Sequence, residues 1–237
     1  MLVVNNLKKT YDGKKYVVDN VNLEIENGQI FAFVGHNGAG KTTTIKSIVG
    51  ILDFEQGEIS LNGLNLKDDE TTFKKQIAYI PDNPNLYENL TGIAYLNFIS
   101  DIYDLNKAEV KVDILKYADE FEIRGRLSDQ IKSYSHGMKQ KLALISAFIR
   151  KPKLLILDEP FVGLDPSAAF KTKEMMKNLT RSGSIIFFST HILEVAEKLC
   201  DRVAIIKDGK IVVEGKMNEV KGDKSLENVF LELLDNE

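Results

Sequence analysis

The run Gly35-His36-Asn37-Gly38-Ala39-Gly40-Lys41-Thr42 carries the densest chemical signal in the chain. Glycines at 35, 38 and 40 clear side chains from a turn whose backbone N–H groups can point inward at an oxyanion, and a helix beginning near Thr42 offers its positive N-terminal end to the same anion. Lys41 adds a full positive charge suited to β- and γ-phosphates, and the Thr42 hydroxyl is a hard oxygen ligand suited to Mg²⁺. A tight turn alone would use glycines but would not call for Gly-Lys-Thr at this offset.

Further chemistry lies downstream. Asp158 and Glu159 end the apolar run Leu154 to Leu157; Asp158 can hold Mg²⁺ and Glu159 can take a proton from an attacking water. Ser135 precedes a helical pattern with apolar residues at 142, 144, 145 and 148, so it is placed to cap that helix and face solvent at its positive end. Capping serines are common. His191 leaves the apolar run Ile185 to Phe188 on the edge where ligands of open α/β sheets gather. Tyr11 is read on an N-terminal strand, where it either stacks on a base or is an exposed strand tyrosine. Asp82 lies between Pro81 and Pro84 and is either a Mg²⁺ ligand at a hinge or a turn residue.

The elements that position these groups follow from periodicity. From Leu2 to Ser60 short β-rich runs alternate with turn signals, and Asn27-Gly28 and Asn62-Gly63 predict hairpins in a small antiparallel sheet attached to the strand Ile30 to Val34. Thr42 to Ile51 reads as a helix, Glu58 to Leu61 and Ile77 to Ile80 as strands, and Lys67 to Glu70 as a solvated loop or helix start. Between Thr91 and Gly125 the period becomes helical. Tyr95, Phe98, Ile99, Ile102 and Tyr103 share one predicted face and Ile114, Leu115, Ala118 and Phe121 another, both expected to pack internally. Then come a helix over 168–179, a hairpin at Lys207 to Lys210, and an amphipathic tail helix with Leu226, Val229, Phe230 and Leu233 on one face.

Composition narrows the function classes. The 237 residues are 43% hydrophobic and 28% charged, which suits a globular fold with a sizeable core. A net charge of −4 offers no overall positive field, so no nucleic-acid partner is expected. Cys200 is the only cysteine, which excludes an intrachain disulfide and a cysteine-built zinc site, and a reducing compartment fits. No apolar run reaches the ~18–20 residues that span a bilayer and Met1 to Thr10 lacks a signal-peptide profile, so a membrane role is expected only through a partner.

Taken together and in this order, the motifs resemble the ATP-binding subunit of ABC transporters over essentially the whole chain. The resemblance implies an α/β fold: a P-loop NTPase, RecA-like core with an antiparallel β subdomain (1–81 and 141–220), an inserted helical subdomain (82–140) and a C-terminal helix (221–237). It implies that Gly35, His36, Asn37, Gly38, Ala39, Gly40, Lys41, Thr42 and Thr43 bind ATP, that Thr42, Asp82 and Asp158 hold Mg²⁺, and that Glu159 is the catalytic glutamate with His191 as switch. Tyr11 matches the adenine-stacking aromatic, and Gly163 to Asp165 the D-loop. Ser135 and Gly137 match the signature, which completes the ATP site of a second chain in a head-to-tail dimer. Two positions depart from the pattern. Tyr134-Ser135-His136-Gly137-Met138 replaces Leu-Ser-Gly-Gly-Gln, and Asp82 stands where Gln is usual. Similar variants occur in the subgroup that exports drugs, lipids or polysaccharides.

The resemblance further implies a homodimer or a heterodimer with a related ATPase, driving an integral membrane permease from the cytoplasmic face. A soluble ABC ATPase acting on ribosomes or DNA is the second reading. Such proteins usually carry two nucleotide domains or a coiled-coil insertion, and this chain has one motif set and no sustained heptads. A P-loop kinase or GTPase fits the Ser-Gly helix start, Asp158-Glu159 and His191 less well.

Overall fold

The computed structural model describes residues 1–235. In chain order it runs β1 (Leu2–Thr10), β2 (Tyr16–Ile25), β3 (Ile30–Val34), α1 (Lys41–Ile48), β4 (Gln56–Leu61), β5 (Leu64–Asn65), α2 (Glu70–Lys75) and β6 (Ile77–Ile80). Next come α3 (Gly92–Ile102), α4 (Lys107–Glu120), α5 (His136–Phe148), β7 (Leu154–Asp158), α6 (Pro166–Arg181), β8 (Ile185–Thr190) and α7 (Leu193–Leu199). The chain closes with β9 (Arg202–Lys207), β10 (Lys210–Lys216), α8 (Met217–Lys221) and α9 (Leu226–Asp235).

Two sheets form. One is antiparallel, in the order β2-β1-β4-β5; the other runs β10-β9-β3-β8-β7-β6, parallel throughout except for the β9–β10 hairpin. Every residue of β3, β7 and β8 is buried, as expected of parallel strands covered on both faces. Their side chains divide between two cores. Alternate residues such as Ile30, Leu155 and Ile186 face the helical side, whereas Phe31, Ile156 and Phe187 face α1 and the antiparallel sheet. Full burial of one such side chain contributes about 1.5–3 kcal/mol.

Side-chain caps set several helix starts. Ser135 Oγ accepts from the Met138 N–H at 3.3 Å at the start of α5, and Asp165 Oδ1 accepts from Ala168 at 2.8 Å at the start of α6, where Pro166 fills the first turn without wasting an N–H. Asp69 caps α2 through Thr72, so the charge run starts a helix.

Four sequence expectations change in the structure. The Asn27-Gly28 turn closes no hairpin: β2 stays in the antiparallel sheet, and β3 pairs with β8 and β9. Asn62-Gly63, with φ of 51° and 83°, does close one between β4 and β5. Tyr11 lies in the bend after β1 and not on a strand, since pairing with β2 ends at Thr10. The helix α1 ends at Ile48, three residues early, as Gly50 turns to φ 69°. On α3 the buried arc is centred between Tyr95 and Leu96 and includes Ser100, which leaves Phe98 and Ile102 on its exposed margin. The tail helix packs as expected, with Val229, Phe230 and Leu233 against the core; of the expected 221–237 segment, Asn236 and Glu237 lie outside the described residues.

Candidate functional site

The order β3-β8-β7-β6 places four strand ends side by side. The glycine loop follows β3, Ser189 to His191 follow or end β8, Asp158 and Glu159 end or follow β7, and Pro81-Asp82 follows β6. All leave the same, C-terminal edge of the parallel sheet, where such sheets bind ligands. A cavity of ≈ 270 Å³ opens there, lined by Val17, Asn37, Gly38, Gly40, Lys41, Thr42, Thr43, Asp82, Asp158 and Glu159.

Lys41 begins α1 and is only 7% exposed. Its ammonium donates to the Gly35 carbonyl at 2.6 Å and the His36 carbonyl at 3.2 Å. Burial lowers its pKa from the usual 10.5, while the charges of Glu159 and Asp158 act in the opposite direction. The result is a dehydrated cation, whose attraction to phosphate is less screened than that of a surface lysine. His36 Nδ1 meets the Asn37 carbonyl at 2.8 Å, and the Ala39 N–H donates to the His36 carbonyl at 3.2 Å, so these two residues shape the loop and do not line the cavity.

The glycines divide their work differently from the sequence reading. A methyl group on Gly35 would lie 2.5 Å from the Ile206 carbonyl oxygen, and one on Gly40 would lie 2.7 Å from that of Val17. Gly35 therefore serves the close approach of the loop to β9. Gly38, at φ +85° with nothing within 4 Å, is the glycine on the open side.

Asp158 is 4% exposed, yet both carboxylate oxygens are paired. Thr42 Oγ1 donates to Oδ2 at 2.9 Å and Ser189 Oγ donates to Oδ1. This juxtaposition of a hydroxyl and a carboxylate is a hard-oxygen donor pair that fits Mg²⁺, which keeps most of its sites for phosphate and water. No cluster of three or more His, Cys, Asp or Glu side chains capable of holding a metal exists among the described residues. Asp82 is exposed on the cavity wall.

Glu159 has φ 51°, a costly backbone for a residue with a Cβ. Its N–H donates to the Ser189 carbonyl at 3.2 Å and lies 3.3 Å from Ser189 Oγ. The side chain meets His191 Nδ1 at 3.0 Å and is 14% exposed, against 58% for His191. Tyr11 is 64% exposed and its hydroxyl lies 3.3 Å from Thr43 Oγ1, which brings the ring to the rim of the cavity.

Ser135 and Gly137 do not line this cavity. They stand at the start of α5, beside Gly163. Sequence reasoning missed Ser189, whose role as a clasp for Asp158 needs the β7–β8 register Asp158↔Ser189, and Val17, which reaches the cavity from another sheet. Neither carries a local signal.

A parallel sheet with this loop, hydroxyl–carboxylate pair and Glu–His pair defines a P-loop nucleotide hydrolase. The profile of the ABC transporter family matches residues 18–162. The chain is 37% identical to the ABC-type transporter ATP-binding protein EcsA of Bacillus subtilis (strain 168), over 98% of this chain and 96% of that protein. It is 34% identical to the linearmycin resistance ATP-binding protein LnrL of the same organism, over 93% of this chain and 70% of that one. Among solved structures, an ATP-binding subunit of an ABC transporter superposes with a TM-score of 0.95 at 37% identity, covering 99% of this chain and 100% of that chain. The dimeric, ADP- and Pi-bound cassette MJ0796 does so with 0.81 at 25%, over 92% and 99%. The chain belongs to the ABC transporter ATP-binding family: it is an ATP-binding ATPase whose α/β fold combines the P-loop core with an antiparallel sheet and helical parts. No helix among the described residues is long and apolar enough to cross a membrane.

Proposed function

We propose that the cavity at the sheet edge holds ATP and that its hydrolysis powers a separate membrane permease, in the direction of export. The observation that carries the reading is the convergence on one cavity of buried Lys41, the Thr42–Asp158 pair and the Glu159–His191 pair. Lys41 and the N–H groups of the loop take the phosphates, and Thr43 and the Tyr11 ring flank the nucleotide, with Tyr11 stacking on the base.

Thr42 and Asp158, with Asp82 opposite, would hold Mg²⁺, which when bound offsets phosphate charge. Ser189 keeps the Asp158 carboxylate oriented, and Glu159 takes a proton from the attacking water as its oxygen bonds to the γ-phosphorus and the bond from that phosphorus to the β–γ bridging oxygen breaks, so that ADP leaves with that oxygen. His191 holds the Glu159 carboxylate through its two oxygens.

A second copy, or a related ATPase, supplies Ser135 and Gly137 to the γ-phosphate, which accounts for their distance from this chain's own cavity. The block 82–140 then moves about Pro81–Pro84 relative to the rest of the chain, 1–81 with 141–220, as ATP is captured and spent. Beside that hinge Tyr87, Phe98 and Ile102 are exposed, an apolar patch that supports docking of the permease at the cytoplasmic face of a membrane. Export is favoured by the relative named for linearmycin resistance and by the variant signature and Asp82.

The test uses the Glu159→Gln chain with MgATP. Light scattering is expected to give a doubled mass with MgATP and not without it, and Ser135→Arg added to that chain is expected to abolish the doubling. A single-copy mass under both conditions would overturn the dimer reading.

A further inference from the structure

His136 occupies the first helical position of α5, between the capping Ser135 and Gly137. Its imidazole lies against the loop that follows Glu159. A methyl group on Gly163 would stand 2.7 Å from His136 Cδ2 and 3.1 Å from Nε2, closer than van der Waals contact permits. Gly163 has φ +77°, a second reason for a residue without Cβ. The backbones also meet, since a methyl on Gly137 would lie 2.9 Å from the Gly163 carbonyl oxygen.

One turn further along α5, Lys141 reaches Asp165 at 2.7 Å with its side chain only 14% exposed. Asp165 in turn caps α6. The loop is thus held to α5 by a ring, a backbone contact and an ion pair. Its other end is Glu159: the Val162 N–H donates to the Glu159 carbonyl at 3.2 Å, and the Phe161 ring packs edge-on to Phe188 at 5.8 Å. Only three residues separate Glu159 from Gly163.

We propose that His136 is a positioning residue for hydrolysis, its ring filling the slot beside Gly163 and fixing the loop from Glu159 to Asp165 on the start of α5. The inference rests on the reading above, that Ser135 caps the nucleotide held by a second copy. Capture of that nucleotide orders Ser135 and His136. The ring passes the order to Gly163 and thence to the Glu159 carboxylate of its own chain, so that occupancy of one site sets the carboxylate of the other. A glycine at 136 would leave only the backbone contact and the ion pair to do this.

The experiment compares steady-state ATP hydrolysis by the full chain with that of His136→Gly, His136→Gln, Gly163→Ala and the His136→Gly/Gly163→Ala double variant. His136→Gly is expected to lower kcat on the order of 10-fold, below the ~10²-fold that a full ångström of misplacement costs. KM for ATP should move much less and the Hill coefficient should fall toward one. His136→Gln, with a planar amide near the position of Nε2, should keep most of the activity. Gly163→Ala should be at least as impaired as His136→Gly, because its methyl meets the ring. The double variant should lose less than the product of the two single effects, because removal of the ring frees that space.

Wild-type kcat and Hill coefficient in His136→Gly, or independent effects in the double variant, would overturn the proposal. The mass of Glu159→Gln and of Glu159→Gln/His136→Gly with MgATP separates the two layers. Doubling in both, with turnover unaffected by His136→Gly, rejects the positioning role alone. Failure of Glu159→Gln itself to double rejects the Ser135 reading beneath it.

Discussion

The Nδ1 atom of His191 lies 3.0 Å from Oε1 of Glu159, and the His191 N–H faces the other oxygen, Oε2, at 3.4 Å. One residue therefore addresses both oxygens of the carboxylate across two neighbouring strand ends, β7 and β8. A carboxylate held this way has little freedom to rotate away from an attacking water.

Glu159→Gln is expected to retain ATP and hydrolyse it on the order of 10²–10⁴-fold more slowly, the scale of a lost general base. His191→Ala should cost less, on the order of 10-fold or more, because the carboxylate remains but is no longer held. Single-turnover phosphate release measures both. Wild-type release by Glu159→Gln would remove the glutamate from the chemistry.

Burial lowers the pKa of Lys41 below 10.5, so its charge is lost as pH rises through that lowered value, before an ordinary lysine would discharge. Without nucleotide, the unfolded chain binds the proton more tightly than the folded one between the two values, so Lys41 makes the fold relatively more stable as pH rises through that window. Nucleotide binding has the opposite sign, because the phosphates need the charge. Affinity for MgATP should fall with pH in this alkaline window, by on the order of 10-fold or more if one charge-assisted contact of about 1.5–3 kcal/mol is lost. In Lys41→Arg, which stays protonated, that alkaline loss should be absent even if binding starts weaker. Fluorescent-nucleotide titrations at several pH values read the slope.

Asp82 shares the cavity wall with Thr42, Asp158 and Glu159, and its side chain has no hydrogen-bond or ion-pair partner among the described residues. Asp82→Ala is expected to lower hydrolysis and raise the Mg²⁺ concentration needed for half-maximal activity several-fold, while Asp82→Gln largely restores both. Identical Mg²⁺ titrations for Asp82→Ala and wild type would reduce Asp82 to a turn residue.

Two neighbouring glycines should fail in different ways. Gly35→Ala sets a methyl 2.5 Å from the Ile206 carbonyl oxygen and should destabilise the fold by roughly 1–3 kcal/mol, the range for overpacking. Gly38→Ala meets nothing within 4 Å and should cost only its positive φ, about 1 kcal/mol, while weakening nucleotide binding at the open face. Thermal melts with and without MgATP separate the two effects.

The chain's own order determined the chemistry of the site, because that chemistry is local. Gly-Lys-Thr and Asp-Glu after an apolar strand are contiguous patterns whose spacing on one element already states what chemistry each could do, whereas Ser135 at a helix start reads by itself only as a cap. The buried strands β3, β7 and β8 were legible for the same reason. Only the tertiary structure decided which strand ends become neighbours. Asp158 meets Ser189 and Thr42 through sheet order and register, across 31 and 116 residues of sequence, and no local pattern encodes a crossover. It also decided that Gly35 is needed for close approach to β9 and that Phe98 and Ile102 fall outside the buried arc of α3. A helix's periodicity states that it has an apolar face, whereas its docking angle on the rest of the chain decides where that face ends. His136 against Gly163 is of the same kind: the sequence places each in its own motif, and only packing α5 onto the loop after Glu159 brings them within contact.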